Sequence, residues 1–243
     1  MRDAVAPGIN EIFELAIPTE PLAYQRAQLD LLRDGVAMLH WASRPDDHKN
    51  GSIFFVDPGT GSFAVTAHHV YEKYIADVTA KSVRCQIGDV AFDPSERLIS
   101  ESHEYDVATF RITAEELRMI GKTTIPWPPA IPAVGDLVMI AGFPGPEKKP
   151  SASTNSLDVR LHAAKWNVSS VRDRGISLVR PADALVLDVN GRGFPEREYD
   201  FGGMSGGPVV AFFDQGPVSS WAFSGVIYEF HQGWKLLWPP AAI

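Results

Sequence analysis

Short apolar or alternating runs dominate the chain, and Gly, Pro, Asn and Asp separate them. Val36 to Trp41, Gly51 to Val56, Gly61 to Thr66, Ser82 to Val90 and Val107 to Ile112 all read as strands. A second series follows: Leu137 to Ala141, Asp158 to Val168, Ser177 to Val179, Ala184 to Val189, Pro208 to Phe213, Ala222 to Tyr228 and Gly233 to Leu237. Many short strands with turns between them predict an all-β sandwich or barrel. Two segments depart from this period. Residues 19–34 predict a helix, with Thr19 as its cap and Gly35 as its stop. Thr113 to Ile120 predicts a second, short helix.

The run from Gly121 to Val134 holds Pro126, Pro128, Pro129 and Pro132. Proline cannot donate to a strand ladder, so this run predicts a connector between two halves of similar size. The polar segments 42–51 and 144–156 predict mobile surface loops. The resulting division is a helical extension over 1–35 and one domain over 36–243. That domain has a first lobe at about 36–120, a linker at 121–134 and a second lobe at 135–243.

Composition narrows the class. The chain has 243 residues, 45% of them hydrophobic, which is ample for a large core. Its formal net charge is -8, with no dense basic block. Phosphate surfaces are bound by Lys/Arg clusters, so neither nucleic acid nor a membrane is expected as a partner. Cys85 is the one cysteine, so no disulfide can form within the chain; it reads as a small buried apolar residue. The first residues, Met1-Arg2-Asp3-Ala4-Val5, lack the apolar run of a secretory signal. The expected location is therefore the cytoplasm.

The chemistry concentrates in three places. Phe201-Gly202-Gly203-Met204-Ser205-Gly206-Gly207-Pro208 sets a serine among four glycines, just before a strand. Such a turn leaves backbone N–H groups free to converge on one point. Val65-Thr66-Ala67-His68-His69-Val70 puts histidine at the end of a strand, and Tyr105-Asp106-Val107 puts aspartate at the start of another. A hydroxyl becomes a nucleophile only beside a general base, and that base needs an acceptor to fix its tautomer. The local pattern alone does not choose between His68 and His69. His40, His48, His103, His162 and His231 read as surface or structural, and none has metal-ligand spacing with carboxylate partners, so no metal site and no cofactor are expected.

Together these segments resemble the Thr-Ala-Ala-His, Asp-Ile-Ala and Gly-Asp-Ser-Gly-Gly-Pro signatures of the trypsin/chymotrypsin-like serine proteases, in the same order along the chain. The resemblance spans roughly residues 36–238, including Val134 to Gly145, which is similar to the opening strand of that family's second barrel. It implies two six-stranded antiparallel β-barrels, here with an N-terminal helix. It implies a serine endopeptidase acting through an acyl-enzyme on a protein or peptide. By position in the motifs, His69 would be the base, Asp106 its partner and Ser205 the nucleophile. The backbone N–H groups of Gly203 and Ser205 would form the oxyanion hole. The walls of the specificity pocket would come from Tyr199 and Asp200 and from Tyr228, Glu229 and Phe230.

Departures from the pattern carry their own implications. Met204 stands where the family has an aspartate that pairs with a newly cut N-terminus, so that mode of activation is not expected. A protease without such a lock needs restraint, by narrow specificity or by a regulatory protein partner. Phe230 would narrow the pocket. Two other readings compete. Gly203-Met204-Ser205-Gly206-Gly207 also fits the Gly-x-Ser-x-Gly elbow of α/β-hydrolases, but that elbow requires a helix directly after the serine. The second is a catalytically silent relative that binds peptides without cutting them.

Overall fold

The first half of the chain builds a curled sheet because its apolar residues sit at strand spacing on both faces. The computed structural model describes residues 22–44, 47–150, 157–179, 200–215, 218–231 and 233–237. Helix α1 (Leu22–Gly35) leads into β1 (Val36–Ala42), β2 (His48–Val56) and β3 (Phe63–Ala67). Helix α2 (His68–Ala80) follows without a linker. Then come β4 (Arg84–Ile87), β5 (Val90–Ala91), α3 (Pro94–Arg97), β6 (Leu98–Ser102), β7 (Val107–Arg111) and α4 (Ala114–Ile120). The sheet order is β5-β4-β1-β2-β3-β7-β6, with every pairing antiparallel.

The second half contains β8 (Leu137–Gly142), a two-residue ribbon of β9 (Lys149–Pro150) and β10 (Leu157–Asp158), then β11 (His162–Arg172), β12 (Gly175–Val179), β13 (Pro208–Gln215), β14 (Val218–His231) and β15 (Gly233–Leu237). Six of these close into a barrel in the order β11-β12-β15-β14-β13-β8, and β8 returns to pair with β11. This is the two-lobed, all-β, chymotrypsin-like fold. One correction to the expected pair of six-stranded barrels is needed. The first lobe is a seven-stranded sheet that does not close among the described residues; β6 and the short β5 are its edges. The polar Leu98-Ile99-Ser100-Glu101-Ser102, largely exposed, suits an edge strand, and for that reason it gives no apolar signal in the sequence.

Other elements also differ from expectation. The run from Ser82 to Val90 is a hairpin rather than one strand, because the chain turns at Gly88. The expected strand Ala184 to Val189 lies outside the described residues. Segment 48–50 belongs to β2 rather than to a loop.

Two apolar clusters hold the lobes. One fills the curl of the first sheet with Ile53, Phe54, Phe55, Tyr74, Phe92 and Phe110, and runs on to Met139, Val210 and Phe223 of the second lobe. Phe54 and Phe223 meet with ring centroids 5.1 Å apart. The other is the barrel interior, with Ile140, Trp166, Val168, Met204, Val209 and Ile227. The proline-rich connector follows the seam between the lobes. Ile125 is buried and bridges Val56, while the Ala130 N–H donates to the carbonyl of Phe223. Because the lobes share a core, side chains from each can be held at fixed positions where they meet.

Candidate active site

His69 sits in the first turn of α2, and the start of that helix explains its placement. The residue before the helix, Ala67, offers no side-chain cap. The first N–H groups of a helix need partners from elsewhere. Asp106 supplies them: its carbonyl accepts from the His68 N–H at 3.0 Å, and its Oδ1 accepts from the His69 N–H at 2.8 Å. Its other oxygen, Oδ2, lies 2.6 Å from His69 Nδ1. A carboxylate only accepts, so Nδ1 carries the proton and the neutral ring keeps its lone pair on Nε2. To aim both groups at the helix, Asp106 adopts φ of 44°, the one positive φ at a non-glycine residue described. Aspartate tolerates this left-handed conformation better than most residues.

His68 has a different role. It is 3% exposed, against 29% for the His69 side chain, and its Nε2 lies 3.0 Å from Glu101 Oε2. The two neighbours diverge because they open a helix, where successive side chains point about 100° apart. The structure thus brings the ring of His69, and not that of His68, to the Asp106 carboxylate.

Ser205 comes from the other lobe, in the tight turn before β13. Gly203 and Gly206 both have positive φ, 98° and 86°. A Cβ on Gly206 would fall on Thr66 Oγ1 and the Ser52 carbonyl, and 2.9 Å from the Ala67 N. The turn therefore lies directly on the end of β3, two residues before His69. Its amides alternate in use. Those of Gly202, Met204, Gly206 and Gly207 donate to Asp200 Oδ1, Phe201, Ile227 and Met204 respectively. Among the described residues, the amides of Gly203 and Ser205 have no hydrogen-bond partner. Neither do Ser205 Oγ and His69 Nε2. The strand β13 directly behind the serine removes the α/β-hydrolase reading, which needs a helix there.

A buried residue without a sequence signature ties the lobes at this point. Ser52 is 0% exposed. Its N–H donates to the Ser205 carbonyl at 2.8 Å, and its hydroxyl donates to the Gly203 carbonyl at 2.8 Å. The same hydroxyl accepts from the Phe143 N–H at 2.9 Å, and the Ser52 carbonyl accepts from Thr66 Oγ1 at 2.6 Å. Asn50 Nδ2 adds a bond to the Phe143 carbonyl at 2.7 Å. Met204, between the two free amides, is fully buried in the barrel core. An ion-pairing aspartate there would require a charge inside that core, unpaired unless a partner followed it in.

The pocket candidates are placed less uniformly. Asp200 is exposed and its carboxylate is engaged with the Gly202 N–H at 2.7 Å. Tyr228 is half-buried at a bulge in β14, where the register shifts between Ile227 and Glu229. Burial raises its hydroxyl pKa, and the negative charges of Glu229 and Asp106 raise it further. Glu229 is half-buried and pairs through its backbone with Lys235. Tyr199 and the side chain of Phe230 lie outside the described residues. Cys85 is half-buried and burial pushes its thiol pKa up, which leaves it protonated and unreactive.

One histidine grouping does not show in the spacing along the sequence. His68, Glu72 and His103 offer ligand atoms within 4.8 Å of one another. The grouping depends on α2, which places His68 and Glu72 one turn apart. Without that helix the spacing of the three residues along the chain shows no grouping.

No protein-family model matches the chain, and no curated protein does. Solved structures match at the level of fold. One is the active form of the Rv3671c protease from M. tuberculosis, 14% identical, with a TM-score of 0.46 over 90% of this chain and 82% of that one. Another is the serine protease domain of the Sesbania mosaic virus polyprotein, 14% identical, with a TM-score of 0.46 over 84% and 87%. A third is the thermostable serine protease AL20 from an extremophilic microorganism, 13% identical, with a TM-score of 0.45 over 85% and 90%. These are likenesses at low identity, and the fold assignment rests on the strand order and the closed barrel themselves.

Proposed function

We propose that this chain is a serine endopeptidase. The observation that carries the reading is the 2.6 Å pair of His69 Nδ1 and Asp106 Oδ2, beside a serine turn that rests on the end of β3 and has two unpaired amides. In this reading His69 Nε2 takes the proton of Ser205 as Oγ attacks the scissile carbonyl. The carbonyl oxygen becomes an oxyanion and accepts from the Gly203 and Ser205 N–H groups, each donor contributing about 3 kcal/mol to the transition state. His69 then returns the proton to the leaving amine, and the acyl group stays on Ser205 as an ester. Water, deprotonated by His69, hydrolyses that ester by the same steps. Asp106 stays ionised throughout and stabilises the imidazolium.

The substrate is a protein or peptide, and no cofactor enters the chemistry. Met204 packed in the core supports activity without an N-terminal ion pair, and we propose a partner or narrow specificity as the restraint. A cytoplasmic setting fits the single half-buried thiol. Labelling by a fluorophosphonate probe tests the reading: wild-type protein becomes labelled and Ser205→Ala does not. Profiling on a proteome-derived peptide library should show cleavage that falls by about 10⁴-fold or more in Ser205→Ala. Activity of the variant within tenfold of wild type would overturn the assignment. Peptide binding without labelling in the wild type would favour the silent, recognition-only relative.

A further inference from the structure

We infer that His68, Glu72 and His103 form a zinc site, separate from the peptidase machinery and bridging the two elements that carry it. His68 and Glu72 lie on α2, and His103 on the turn between β6 and β7. The ligand atoms, all within 4.8 Å of one another, approach the spacing the ion requires. Zn–N and Zn–O bonds are about 2.0–2.2 Å, so two ligand atoms at a tetrahedral centre lie about 3.4 Å apart. His68 Nδ1 is 3.6 Å from Glu72 Oε2, and His103 Nδ1 is 3.6 Å from Glu72 Oε1. Small movements of the exposed Glu72 and His103 side chains close the remaining gap.

The second, independent observation is Glu101. It accepts from His68 Nε2 at 3.0 Å, and a carboxylate acceptor requires that nitrogen to hold the proton. The lone pair of the neutral ring is thereby fixed on Nδ1, the atom that faces Glu72. A carboxylate behind a ligating histidine is the usual outer arrangement of zinc centres, where it orients the ring and raises its basicity. Here the oriented histidine is 3% exposed, which makes its alignment a built feature rather than a surface accident. The rings of His68 and His103 lie with centroids 3.8 Å apart, already gathered on one spot. Three protein ligands leave one position for water, and imidazole with carboxylate is a donor set zinc accepts. An ion at this point would tether α2, which supplies His69, to the turn that leads into Asp106.

Titration of the full-length protein with Zn²⁺ tests the site without reference to peptidase activity. Calorimetry should show one ion bound in the micromolar range or tighter, and Co²⁺ should give the visible absorption of a tetrahedral centre. Saturating Zn²⁺ should raise the thermal midpoint by about 5–10 °C at a hundredfold excess over the dissociation constant. His103→Ala, at a largely exposed residue, should weaken binding at least tenfold and abolish that rise. Glu101→Ala should weaken it about 10–100-fold through loss of orientation. Absence of saturable binding up to millimolar Zn²⁺ would overturn the proposal. So would binding that His103→Ala leaves unchanged, or binding that is lost instead in His48→Ala, where His48 Nδ1 lies 3.0 Å from His40 Nε2 in the other histidine pair described.

Discussion

The two lobes carry the candidate site in different ways. The open sheet presents side chains: His69 and Asp106 stand at the ends of β3 and β7, oriented by bonds to each other. The closed barrel presents backbone: the Gly203 and Ser205 amides, held by a turn in which every flanking amide is already used. Side chains on an open sheet can take two orientations and need a partner to choose one. Backbone in a turn pinned on both sides has little choice. Proton transfer needs a side chain that can be tuned; oxyanion binding needs donors that do not move during the reaction.

The largest expected effect follows from the first lobe's dependence on one carboxylate. Asp106→Asn keeps the side-chain shape but places an NH₂ where an acceptor is needed. His69 then loses its Nδ1–H acceptor and turns toward the wrong tautomer. Turnover should fall about 10⁴-fold in steady-state peptide hydrolysis. A fall below tenfold would mean that the side-chain lobe is not the one doing proton transfer. Gly206→Ala probes the second lobe. Its Cβ would press on Thr66 and on the Ser52 carbonyl at a positive φ, so the turn must lift from β3. Stability should fall by about 3 kcal/mol, read by chemical denaturation, and labelling of Ser205 should fall with it. Unchanged stability would show that the turn does not rest on β3.

Much of this division is legible in the sequence, and the exceptions share physical causes. The strands of the core and the glycines around Ser205 announce themselves by period and composition. Helix α2 does not, because beside His68 its buried face is Val70, Tyr71 and Tyr74, residues that favour strands by propensity. Missing α2 left His68 and His69 undecided and hid the His68–Glu72 spacing. Tertiary contacts decide it: Asp106 caps the helix across a gap of 37 residues. Ser52 is also invisible in sequence, since a serine in a strand carries no motif; only its three bonds across the seam, to Ser205, Gly203 and Phe143, give it a role. The seventh strand, β6, is too polar for a pattern that searches for apolar alternation.

Ser52→Ala sharpens the comparison by cutting one tie between lobes. It strands the buried N–H of Phe143 and removes a donor from the Gly203 carbonyl. Leaving a buried group unpaired costs about 1–3 kcal/mol. If the second lobe's rigidity depends on the first, turnover should fall several-fold beyond the change in stability, because the Gly203–Met204 peptide loses its anchor. A stability loss with unchanged kcat in kinetic assays would show that the barrel holds its turn unaided.

The smallest effect concerns His40, on β1 in the interior of the open sheet. Burial pushes its pKa down to about 4, and the nearby His48 and Lys148 add to the shift. The unfolded chain therefore binds a proton near pH 6.5 that the folded chain refuses until about pH 4. Stability from this group is unaffected above pH 6.5 and falls as pH drops toward 4. Between pH 7.5 and 5.5 the loss should be about 1 kcal/mol, measured as denaturant midpoints across that span. His40→Gln has no proton to refuse and should flatten the slope by that amount. If the slope instead persists in the variant, the acid sensitivity of the first lobe arises elsewhere, and the histidines of α2 and the β6–β7 turn become the next ones to replace.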